Sequence, residues 1–201
     1  MIMRRIMMMC VALMTVVVAS AQQSAEQWLK ALNSSLGECY AMRVEVNTSA
    51  DTMSGYYMVD GDSYYIELEQ MEVYCNGKVR HEINNSRKEV TIDSVDSSSG
   101  DLLQNPTRAF DFVADEFKMS VAETTPTGCV VSLMPLDSSS GVVEIILVLQ
   151  RNGSKVLPKN ILYDYDGECY AIELEMVDVG ATKLPRWNKE SYSDYDMVSF
   201  I

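Results

Sequence analysis

Histidine is almost missing from this sequence: His81 is the only one in 201 residues. Nucleophilic catalysis by serine or cysteine needs a base beside the nucleophile, and a single imidazole leaves one place for it. His81 stands in a stretch carrying Lys78, Arg80 and Arg87, the setting of a solvated surface histidine. No Cys-x-x-Cys, Gly-x-Ser-x-Gly turn, phosphate-binding glycine loop or His-Glu-x-x-His occurs. A zinc site of the usual spacing therefore has no support. Carboxylate pairs such as Glu67/Glu69 and Glu173/Glu175 exist, but a spacing of two puts both members on the wet face of a strand. We expect no catalytic residue, no metal and no cofactor, and hence no enzyme.

Positive charge is scarce too, with 16 Lys+Arg against 29 Asp+Glu and a formal net charge of −13. Nucleic acid and acidic lipid headgroups are repelled by such a surface. A membrane-spanning run is lacking: Ile6 to Val18 is apolar but shorter than the roughly 20 residues a bilayer needs. Arg4 and Arg5 precede that run and Ala19-Ser20-Ala21 follow it, the layout of a secretory signal cut before Gln22. Cys10 sits inside the apolar run, where no lipid-accepting cysteine belongs. The expected organisation is a signal peptide over residues 1–21 and one soluble domain over 22–201, large enough for a sizeable core. The signal holds two basic and no acidic residues, so the mature charge is −15. Cys39, Cys75, Cys129 and Cys169 remain; they allow three pairings, and buried free thiols are an equal alternative.

What is present is period. Ser24 and Gln27 form a capping-box pattern, Trp28, Leu29, Leu32 and Leu36 recur at helical spacing, and Gly37 supplies a stop. From Cys39 the period becomes two, with Tyr40, Met42, Val44 and Val46 alternating against polar or small residues. Further strands read at Tyr56–Val59, Tyr64–Leu68, Val73–Cys75, Val79–Ile83 and Glu89–Ile92, with turn residues at Asp60-Gly61, Asn76-Gly77 and Asn84-Asn85. The alternation is lost over Asp101 to Phe117, an apolar stretch interrupted by Pro106 that reads as one or two short helices. Strands resume at Lys118–Glu123, Gly128–Met134, Val142–Gln150, Val156–Tyr165 and Glu168–Val179. A turn at Asp166-Gly167 would pair Tyr163 with Tyr170 and Ile161 with Ile172; one at Asn152-Gly153 would pair Leu149 with Val156. Val142 to Leu149 is nearly all apolar, as for a strand covered on both sides. The tail ends in Met197-Val198 and Phe200-Ile201, a candidate final strand.

The expected fold is mainly β (α+β): a strongly curved antiparallel sheet of about eleven strands, an unclosed β-barrel, with an N-terminal helix and a short helical lid. So many strands with so little helix to cover them favour a sheet that encloses its own face. The candidate lining is Tyr40, Met42, Val44, Tyr56, Met58, Tyr64, Ile66, Leu68, Ile161, Tyr163, Tyr170, Ile172, Leu174 and Met176 from the strands, with Phe110, Phe112 and Phe117 from the lid. Such residues make either an ordinary core or the wall of a ligand cavity.

The order of parts resembles that of the LolA-like outer-membrane lipoprotein carriers over nearly the whole mature chain. The most specific stretch runs from Val73-Tyr74-Cys75-Asn76-Gly77-Lys78 through Lys88-Glu89-Val90-Thr91-Ile92, which is similar to that family's strand, x-Gly-Lys turn and Glu-Val strand. Asn105-Pro106 with Phe110 and Phe117 resembles the helical lid, and Ile161 to Gly167 the late hairpin. The arginine-proline latch of proteobacterial members has no counterpart, the nearest positions being Asp60-Gly61. The resemblance implies a monomeric periplasmic carrier whose apolar face, capped by the lid, shields the acyl chains of a lipoprotein or another lipid. It also implies an inner-membrane donor and an outer-membrane acceptor protein. Two other classes fit the same fold: an envelope-stress sensor or anti-sigma partner, and a structural envelope protein whose apolar face is only core.

Overall fold

The computed structural model describes residues 23–95, 110, 115–137, 141–165, 167–180 and 183–201. The expected signal peptide lies outside the described residues, as does most of the expected lid, Phe112 included.

Helix α1 (Ala25–Leu36) starts at a complete capping box: the Gln27 amide donates to Ser24 Oγ and the Ser24 amide to Gln27 Oε1. It stops at Gly37, whose φ of 65° suits glycine and whose N–H donates to the Asn33 carbonyl. The stripe of Trp28, Leu29, Leu32 and Leu36 is buried, as the helical spacing predicts. Two contacts fix the helix on the sheet. Ser35 Oγ accepts the Val156 N–H at 2.9 Å, and the Arg151 guanidinium lies 4.4 Å from the centre of the Trp28 ring.

Two hairpin meanders make the sheet. The first holds β1 (Cys39–Asn47), β2 (Thr52–Asp60), β3 (Ser63–Leu68), β4 (Met71–Cys75), β5 (Val79–Asn84) and β6 (Glu89–Ser94). The second holds β7 (Phe117–Thr125), β8 (Gly128–Pro135), β9 (Val142–Asn152), β10 (Lys155–Tyr165) and β11 (Glu168–Val179). Antiparallel pairing of β1 with β11 joins the halves, and the tail adds β12 (Asp196–Ser199) parallel to β6. The order is β12-β6-β5-β4-β3-β2-β1-β11-β10-β9-β8-β7, so β12 and β7 are edges and the sheet is unclosed. Eleven strands match the expectation, and the twelfth is the tail.

A single apolar cluster draws on α1, on β1–β4 and on β8–β11, with β7 packed against it. Strands so far apart in the sheet share one core only if the sheet curls. Two glycines permit the close approach this needs. A Cβ on Gly55 would lie 1.6 Å from the Glu67 carbonyl oxygen, and one on Gly128 would lie 2.0 Å from that of Leu149. We call the face carrying this cluster the inner face. At β5 and β6 the apolar side chains change sides: Ile83 and Val90 are fully buried on the outer face under Tyr192, with Trp187, Tyr195 and Met197 around them. There the inner face is polar, with Arg80 and Glu82 opposite Cys75 and Val73.

Two expectations need correction, and the open question of the cysteines closes. The turn between β9 and β10 is Gly153-Ser154, because Asn152 pairs with Lys155; Leu149 meets Pro158, and Val156 meets Arg151. Strand β9 is fully buried on the inner face only, at Ile145, Leu147 and Leu149, while Ile146 and Val148 on the other face are half-exposed. No bridge joins Cys39, Cys75, Cys129 and Cys169, which are all free thiols.

Candidate functional site

Alternation and register decide which candidate residues meet. Tyr163 stands opposite Tyr170 and Ile161 opposite Ile172, the pairing expected from the turn before Glu168. Val46 pairs with Ile172, Val44 with Leu174 and Met42 with Met176, so β1 continues the same apolar rows. Tyr64, Ile66 and Leu68 of β3 extend them on the other side of β2. Phe110 packs on Tyr40, ring centres 6.3 Å apart. Tyr40, Met42, Tyr64, Ile66, Leu68, Phe110, Ile161, Tyr163 and Ile172 are buried in the cluster; Val44, Phe117, Tyr170, Leu174 and Met176 are half-buried at its margin.

Two candidates fall on the wrong side. Tyr56, 38% exposed, pairs with Arg43 and Glu67, and Met58 pairs with Ala41 and Tyr65, so both belong to the outer face. Tyr57 and Val59 take their places inside, opposite Ile66 and Tyr64. The four consecutive residues Tyr56-Tyr57-Met58-Val59 are apolar at both parities, which leaves alternation silent. The short turn was the available signal: any two-residue connection between β2 and β3 puts Tyr57 and Val59 on the face of Tyr64. Val73, Val131, Leu133, Ile145 and Leu147 also belong to the inner face and were absent from the candidate lining.

The inner face is dry at its centre and polar at one end. Burial pushes the Tyr40 hydroxyl up to about 12, against a hydrogen bond from Tyr57 that lowers it. Burial likewise raises Tyr57 and Tyr64 far above the ordinary tyrosine value. The Arg80–Glu82 ion pair closes the β5 end, where Arg80 Nε is buried and meets no acceptor among the described residues. Such a surface offers exclusion of water and shape rather than polar chemistry, and among the described residues it holds no nucleophile with an adjacent base. Among the described residues no group of three or more His, Cys, Asp or Glu could hold a metal ion, and no helix is long and apolar enough to cross a membrane.

No family model matches the sequence, and neither does any curated protein. In fold the chain is similar to an uncharacterized conserved protein from Thermus thermophilus, with a TM-score of 0.59 at 9% identity over 87% of this chain and 98% of that one. LolA superfamily proteins are among the structural neighbours. One from Nitrosomonas europaea aligns over 81% of this chain and 95% of its own, at 10% identity and a TM-score of 0.41. A putative outer membrane lipoprotein-sorting protein domain from Vibrio parahaemolyticus aligns over 85% and 97%, at 11% identity and 0.42. These likenesses concern the fold.

Proposed function

We propose that this protein is a non-catalytic periplasmic carrier that shelters the acyl chains of a lipoprotein, or of another lipid, against its inner face. The observation that carries the reading is one continuous apolar surface, built from both meanders of an unclosed sheet, whose margin of Val44, Tyr170, Leu174 and Met176 is only half-buried. Each methylene sheltered from water is worth about 0.8 kcal/mol, so a chain of ordinary length gains enough to displace a cover. Methionine and tyrosine suit such a surface, being adaptable in shape. An inner-membrane donor and an outer-membrane acceptor would load and unload the carrier, which acts as a monomer.

A second reading, a solid core with no ligand, is favoured by the depth of Met42, Tyr64 and Tyr163, at 0%, 2% and 2% exposure. Displacement of a fluorescent fatty-acyl probe separates the two. A carrier binds it, loses binding on Ile172→Glu, which puts a carboxylate among the inner rows, and keeps binding on Glu173→Ile, which alters the exposed outer face. A folded wild-type chain that ignores the probe leaves the solid core. Mass spectrometry of organic extracts from protein purified without detergent would identify the natural cargo.

A further inference from the structure

Strands β10 and β11 are neighbours for only part of their length. They pair from Asn160↔Glu173 to Tyr165↔Glu168, and then diverge. Residues 155–158 of β10 remain paired to β9 alone, and β11 beyond Glu173 pairs with β1 alone. The sequence explains the parting. Pro158 has no N–H to donate, and β10 carries a register shift between Pro158 and Asn160 that leaves Lys159 as an extra residue. The Val156 N–H is taken by Ser35 of α1. At these two positions the β10 bank has no free N–H to offer an added strand, which disfavours a peptide pairing in the gap.

Apolar side chains meet polar ones at the gap. Leu157 and Pro158 form one bank and Leu174 and Met176 the other, around a cleft of about 490 Å³ whose lining also includes Lys159. A second cleft of about 630 Å³ shares Lys159, Leu174 and Glu175 with it, reaches Val44, and has an acidic outer wall that includes Glu45, Glu67, Glu69 and Glu173. Val44, Leu174 and Met176 belong to the half-buried margin of the inner face, so the parted strands join that face to the surface. Glu175 is held by Arg43 at 3.1 Å, whereas Lys159 is exposed and makes no ion pair among the described residues.

We propose that this seam is the portal through which one acyl chain passes to the inner face. The inference rests on the carrier reading and adds the route. Its test is stopped-flow association of 11-(dansylamino)undecanoic acid with the mature chain. Leu174→Trp and Leu157→Trp each obstruct one bank and slow association about tenfold, within the range over which related association rates vary. Val143→Trp, on exposed surface outside both clefts, leaves the rate unchanged. If wild type binds the probe and folded seam variants associate at the wild-type rate, the portal is wrong while the carrier reading stands. If wild type binds no probe, both fall.

Discussion

The hydroxyl of Tyr192 donates to the carboxylate of Glu72 at 3.0 Å, tying the tail to a strand 120 residues earlier. Tyr74 Oη at 2.8 Å, Asn85 Nδ2 at 2.8 Å and Tyr65 Oη at 3.4 Å donate to the same carboxylate. Burial alone would raise Glu72; the donors, Asn85 foremost, outweigh it and hold the group below its ordinary value. A depressed carboxylate adds stability that is complete above its unfolded value, about 4.3, and is lost as pH falls through the lower folded value. The tail should therefore loosen below about pH 4. Trp187, stacked between His81 and Tyr192, reports this by fluorescence, with Trp28→Phe as background. Glu72→Gln should flatten the acid transition, and Tyr192→Phe should cost about 1 kcal/mol. An unchanged transition in Glu72→Gln would assign the acid response elsewhere.

Buried tyrosines set the alkaline limit. Burial raises Tyr40 to about 12 and Tyr57 well above its ordinary value. These groups favour the neutral form when folded, so their contribution is whole below about pH 10 and is lost as pH rises through the folded values. Absorbance at 295 nm should show exposed tyrosines ionising first and the buried ones only as the chain unfolds. Smooth titration of all eleven tyrosines near pH 10 would contradict this burial.

Gly55→Ala and Gly128→Ala should each destabilise by at least about 1–3 kcal/mol, because the new methyl meets a backbone carbonyl that no rotamer change can move. Gly153→Ala meets no atom and bears only the strain of its positive φ, so its cost should be about 1 kcal/mol. Urea unfolding of the three variants gives the ranking, and equal losses would remove the packing argument.

Thiol reagents should find Cys169 first, since it is exposed. Cys39 follows, its thiol raised chiefly by donating to Asp60 at 2.9 Å. Cys75 and Cys129, the latter raised by burial to about 11, should react only on unfolding. A chain lacking residues 1–21 that shows fewer than four thiols after denaturation without reductant would mean that a bridge exists.

Much of the fold was legible because several signals agreed at the same residues. The capping box of α1 and the Tyr163/Tyr170 register each follow from a local motif confirmed by the flanking period. The Gly153-Ser154 turn was misplaced by one residue because Asn-Gly is the stronger hairpin pattern, yet the error preserved which side chains face inward. Tyr56 and Met58 were misassigned where every residue is apolar and period carries no information. The seam had one sign in the sequence, Pro158, and its meaning depends on where β11 turns away. The switch of Ile83 and Val90 to the outer face was beyond local reading, because the tail that covers them comes a hundred residues later.

The joint between β1 and β11 has a consequence for how the chain is made. Each strand of the first meander finds its partner within a hairpin, but one edge of β1 waits for residues such as Glu175, 132 positions beyond Arg43. At roughly 5–20 residues per second of synthesis, the delay is on the order of ten seconds. Throughout it the backbone edge of a nine-residue strand with one apolar face has no neighbour and can pair with a strand of another copy. Nascent chains should thus be prone to aggregate through β1, and a holding factor that binds extended strands would raise the yield of folded protein without altering its final stability.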